Sequence, residues 1–79
     1  MKPDETLDVK GKSCPIPVLL AKKKIKTLES GKILEIIGDF PPAKVNLQNF
    51  LLTNGHEILE IQEKQGIYHI YTKIKNNSS

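Results

Sequence analysis

Apolar and polar residues alternate over residues 6–10, with Leu7 and Val9 on one side, and that two-residue period predicts a short strand. The period then lengthens. Val18, Ala21 or Lys22, Ile25 and Leu28 recur at three- and four-residue spacing, which predicts a helix over 15–28. Ser30-Gly31 follows the last apolar position and fits a glycine cap. Residues 33–37 are apolar and β-branched apart from Glu35, a pattern that predicts a buried strand. Gly38-Asp39-Phe40-Pro41-Pro42 is expected to be loop, since adjacent prolines cannot continue a ladder. A second helix is predicted over 43–54, with Leu47, Phe50 and Leu51 on one face and Gly55 as its stop. Strands over 57–62 and 67–75 follow, joined by a turn at Lys64-Gln65-Gly66. In the last strand Tyr68, Ile70, Thr72 and Ile74 are expected to face the core and His69 to be exposed.

This order is βαβαββ, an α+β chain. Its economical packing is a two-layer α/β sandwich, with two helices on one four-stranded mixed sheet. Seventy-nine residues allow one domain over 1–79, with an ordered core over about 6–75, and no separate catalytic or cofactor domain. The polar tail Asn76-Asn77-Ser78-Ser79 is expected to fray. No apolar stretch opens the chain or approaches bilayer length, so a signal peptide and a membrane span are not expected and the cytoplasm is.

A single cysteine excludes an internal disulfide and focuses the chemistry on one thiol. It lies in Cys14-Pro15-Ile16-Pro17, at the start of the first predicted helix. A residue before proline is pushed out of the α region, so Cys14 is expected at the N-cap and Pro15 at the first helical position. Among the first four helical residues only Ile16 and Val18 keep an N–H, and these two amides are the candidate local support for a thiolate. The helix terminus favours the anion by about 0.3–1 kcal/mol when exposed, and about 1.36 kcal/mol shifts a pKa by one unit. This term alone therefore leaves the thiol partly ionised near neutrality. Lys12, two residues away, adds positive charge. Asp8, at the strand end, would raise the thiol pKa if it acted on it directly, and a structural role bonding loop N–H groups is expected instead. Asp39 is expected to cap the loop before the second helix.

Leu7-Asp8-Val9-Lys10-Gly11-Lys12-Ser13-Cys14-Pro15-Ile16-Pro17 resembles the signature of the TusA/SirA-like sulfur-carrier family. The similarity continues through Gly31, Gly38-Asp39-Phe40-Pro41 and Gly55-His56, from about Thr6 to Lys75. It implies a sandwich like the C-terminal domain of bacterial translation initiation factor 3. It also implies a persulfide carried on Cys14, with Pro15, Ile16, Pro17, Val18, Lys12 and Asp8 around the site. The implied partners are a donor protein, a cysteine desulfurase or rhodanese-like protein, and an acceptor protein of a sulfur relay, with no cofactor. Phe40, Ala43 and Asn46 stand where the family commonly has aspartate, threonine and aspartate, which puts in doubt whether the same partners are used. The absence of a second thiol suits a carrier better than a Cys-X-X-Cys reductant.

Other uses of Cys14 have less behind them. With His56 and His69 it could supply three metal ligands, but the spacing matches no zinc pattern. Either histidine could act on the thiol if the fold brought them together. His56 is expected instead to open a strand and bond backbone. Lys22, Lys23, Lys24 and Lys26 read as a solvated helix face whose stems cover the core edge. Collectively they would steer acidic partners. A net charge of +3 also admits a small RNA-binding or protein-interaction module in which Cys14 is incidental, although two Tyr and two Phe make no stacking platform.

Overall fold

A computed structural model of the chain describes residues 2–13 and 16–75. The elements run β1 (Glu5–Asp8), α1 (Ile16–Lys26), β2 (Ile33–Gly38), α2 (Pro41–Thr53), β3 (Glu57–Lys64) and β4 (Ile67–Lys73). The strand order in the sheet is β1-β2-β4-β3. β1 and β2 are parallel, and β4 runs antiparallel to both β2 and β3. Both helices pack on this mixed sheet, as the βαβαββ order predicts.

The core gathers one stripe from each helix and one face of the sheet. Pro17, Ala21 and Ile25 of α1 and Ala43, Leu47 and Leu51 of α2 are buried. They meet Leu34 and Ile36 of β2 and Tyr68 and Ile70 of β4, with Val9 and Ile74 closing the ends. The alternation expected in β4 holds: Tyr68, Ile70, Thr72 and Ile74 are all buried. The buried Thr72 hydroxyl is satisfied by donating to the Glu57 carbonyl at 2.7 Å.

Several boundaries differ from the sequence expectation: β1 covers Glu5–Asp8, β3 runs on to Lys64 and β4 ends at Lys73. α2 begins at Pro41, not after the prolines. Prolines are compatible with a first turn because its N–H groups have no intrahelical partners. Phe40 stays extended at φ −107°, and its carbonyl accepts the N–H groups of Ala43 and Lys44. α1 ends at Lys26, where Thr27 turns back through its N–H and hydroxyl to the Lys24 carbonyl at 3.0 and 2.7 Å. Gly31 is therefore not the cap of α1; its N–H donates to Ile74 O at 2.7 Å and ties the following loop to the end of β4. The hairpin turn is Gln65-Gly66 alone. Both residues have positive φ, 52° and 79°, as a two-residue loop matched to strand twist requires.

Gly55 does stop α2. At φ 83° it donates to Leu52 O while His56 N–H donates to Leu51 O, the paired bonds of a Schellman ending.

Candidate functional site

The connection from β1 to α1 is pinned before it reaches the helix. Val9 N–H donates to Ile37 O at 2.7 Å, extending the parallel pairing one residue past β1. The next three amides are each engaged. Lys10 N–H donates to Asp8 Oδ1 at 2.9 Å, Gly11 N–H to Asp39 Oδ1 at 3.0 Å, and Lys12 N–H to Val9 O at 3.2 Å. Gly11 sits at φ 79° inside this turn, a conformation that glycine adopts without steric cost. Two carboxylates from neighbouring strand ends thus hold one three-residue turn.

The Asp8 expectation is met. That for Asp39 is corrected: α2 has no side-chain cap, and Asp39 reaches across to the β1–α1 turn instead. Local sequence gave no sign of this bond, because the partners are 28 residues apart. Parallel pairing of β1 with β2, which sets Asp8 beside Ile37, is what brings them together.

Cys14 and Pro15 lie outside the described residues, so their expected N-cap and first-turn places do too. The residues on either side are described. Lys12 and Ser13 are exposed, as are Ile16 and Leu19 one turn apart on α1. Pro17 is fully buried and Val18 packs against the core, which anchors the first turn of the helix. Ile16 N–H donates to Ser13 O at 2.9 Å. It is therefore committed to Ser13, and of the two amides expected to support Cys14 only that of Val18 remains a candidate.

Neither histidine is placed to serve this connection. His56 immediately precedes β3, at the end of the sheet where Ile33, Lys73 and Glu57 align, whereas the connection to α1 leaves the opposite end at Asp8. Its ring is buried and its Nδ1 accepts the Lys75 N–H at 3.0 Å, the backbone role expected of it. Desolvation lowers its pKa below 6.5. His69 is not exposed as expected but half-buried on the sheet face away from the helices. Its Nδ1 lies 2.8 Å from Glu35 Oε2, which also accepts the Tyr71 hydroxyl at 3.0 Å. The Tyr71 pKa is raised above 10 by desolvation, by that hydrogen bond, and by the charges of Glu35 and Glu60. Among the described residues no cluster of three His, Cys, Asp or Glu side chains could hold a metal.

The family model described as "Sulfurtransferase TusA" matches residues 5–74, nearly the whole chain. The chain belongs to the TusA family. Its relatives include the sulfur carrier protein TusA of Allochromatium vinosum, 34% identical over 70 residues that cover 89% of this chain and 92% of that one. The sulfur carrier protein TusA of Pseudomonas entomophila is 37% identical over 65 residues, covering 82% and 81%. A crystal structure of a SirA-like protein from Desulfitobacterium hafniense superposes with a TM-score of 0.80 at 31% identity, covering 91% of this chain and 99% of that one. Among the described residues, no helix of this TusA-family chain is long and apolar enough to cross a membrane.

Proposed function

We propose that this protein is a sulfur carrier that accepts a sulfane sulfur on Cys14 from a donor protein and passes it to an acceptor protein. The donor is a cysteine desulfurase or rhodanese-like protein bearing a persulfide, and the acceptor is a thiol protein of a sulfur relay. A reducing cytoplasmic setting would keep the thiol available.

The Cys14 thiolate attacks the outer sulfur of the donor persulfide. A new S–S bond forms on Cys14, the donor's S–S bond breaks, and the donor leaves as a thiolate. An acceptor thiolate then attacks the outer sulfur on Cys14 in the same way, and Cys14 returns as thiolate. No external oxidant or reductant enters either step, because the transferred atom stays at the sulfane level throughout.

The observation that carries this reading is the Cys14-Pro15-Ile16-Pro17 motif within a TusA-family chain. Its flanks agree with it. The turn before Cys14 is held by Asp8 and Asp39, and Pro17 behind it is set in the core. Exposed Ile16 and Leu19, with Lys12, offer an apolar and basic shoulder to an incoming protein.

Loading tests it. Reduced protein incubated anaerobically with a cysteine desulfurase and cysteine should gain about 32 Da, one sulfur atom, by intact mass. Cys14→Ser should gain nothing. A wild-type protein that stays unmodified with several desulfurases would count against the reading.

A further inference from the structure

At the end of the molecule away from the cysteine connection, α1 and α2 leave a groove of about 310 Å³ between their C-terminal halves. It is lined by Lys22, Ile25, Lys26, Phe50, Asn54, Gly55, His56 and Lys75. Three of these are lysines and none is acidic. Ile25 and His56 are buried, and half-buried Phe50 packs against the core, so the groove has an apolar floor beneath a cationic rim.

Lys26, in the last turn of α1, suits the negative end of the helix dipole, but capping of the last carbonyls does not account for Lys22 and Lys26. Such residues often serve the last carbonyls of a helix. Here those carbonyls have other partners. Lys24 O accepts from Thr27 and Ile25 O from Leu28, while on α2 Phe50 O accepts both the N–H and Nδ2 of Asn54. Among the described residues no ion pair includes Lys22 or Lys26, whereas Lys24 is paired with Glu5 at 3.0 Å and Lys75 with Glu57 at 3.2 Å. Like charges four residues apart on a helix also cost a few tenths of a kcal/mol. The pair is thus an unbalanced positive charge at the mouth of a concavity.

His56 adds a donor and not an acceptor. Its Nδ1 accepts the Lys75 N–H, so in the neutral ring the proton is on Nε2. The lining therefore offers ammonium and N–H donors over an aromatic and aliphatic floor.

We infer that this groove binds a small phosphorylated ligand, with the phosphate on Lys22 and Lys26 and an apolar or planar portion against Ile25 and Phe50. A concave site near the low end of small-ligand pocket volumes favours such a molecule over a protein surface or a nucleic-acid strand, which need a longer basic track. The site stands apart from sulfur transfer: Lys22 and Lys26 lie roughly 9 and 15 Å along α1 from Ile16.

The test is titration of the ¹⁵N-labelled full chain with ADP, adenosine and pyrophosphate, followed through backbone amide shifts. ADP and pyrophosphate should move the amides of Lys26, Gly55 and His56 saturably, and adenosine should not. The double variant K22Q/K26Q should weaken ADP binding by at least about tenfold, the loss of charge-assisted contacts, with the remaining spectrum intact to report folding. K23Q, whose side chain does not line the groove, should leave binding unchanged. Absence of saturable shifts with both anions, or equal weakening by K23Q, would overturn the inference. So would tighter binding of a single-stranded oligoribonucleotide than of ADP at the same amides. Cys14→Ser should bind ADP as the wild type does, so failure here and failure of sulfur loading are separate results.

Discussion

Asp39 holds the backbone of a turn 28 residues away, and its removal has a local signature. Asp39→Ala frees the Gly11 N–H, which should cost about 0.5–1.5 kcal/mol in denaturant unfolding. It should also speed hydrogen exchange at Gly11 and slow sulfur loading on Cys14, without changing exchange at His56. His56 gives a pH dependence whose sign follows from its lowered pKa. In the unfolded chain the ring takes a proton as pH falls through about 6.5, while the folded protein resists it, so the unfolded state binds more protons. Stability should therefore fall as pH drops below about 6.5 and continue falling until the folded-state pKa is reached. Protonating Nδ1 would also end its acceptance of the Lys75 N–H. Chemical denaturation between pH 7.5 and 5 checks this, and His56→Gln should flatten the slope in that window.

At the scale of elements, two positions discriminate between packing and turn geometry. Gly38 ends β2, and a Cβ there would overlap the ring of Tyr68 on β4. Gly38→Ala should destabilise by about 1–3 kcal/mol, the range for overpacking in a core, read as a lower denaturant midpoint. In the hairpin, Gln65 occupies a left-handed φ of 52° that asparagine or glycine adopts more readily. Gln65→Asn should raise stability by about 0.5–1 kcal/mol.

These elements also mark where sequence is a sufficient guide and where it is not. Period-two alternation in β4 and three-four spacing in both helices are local, and they point to Tyr68, Ile70, Ile25, Leu47 and Leu51 as core, leaving Ala21 or Lys22 open. Pro41 and Pro42 were misplaced because the rule against proline in a ladder says nothing against a helical first turn. Gly31 follows an apolar run as a cap would, but its partner is Ile74, far along the chain. The Asp39–Gly11 bond and the Lys22–Lys26–Lys75 groove share that origin: each depends on which strand ends and helix ends become neighbours.

At the scale of the whole molecule, the parallel β1–β2 pair decides the polarity of everything else. α1 follows the C-terminal end of β1 and α2 the C-terminal end of β2, so both helices start at the end where Asp8, Gly38 and Asp39 lie. The cysteine motif belongs to that end of the chain path, and His56, Lys75 and the basic groove to the other. The molecule thus separates the turn held by Asp8 and Asp39 from a cationic cleft on one small frame.

A sulfur carrier of the kind proposed must both take and give sulfur on Cys14. The most direct measurement loads the protein once, removes the donor, adds a thiol acceptor protein in equal amount, and follows both intact masses with time. About 32 Da should leave the carrier and appear on the acceptor at the same rate, with no disulfide-linked product left at the end. A loaded carrier that keeps its sulfur while the acceptor stays unmodified, across several sulfur-relay acceptors, would contradict the proposal.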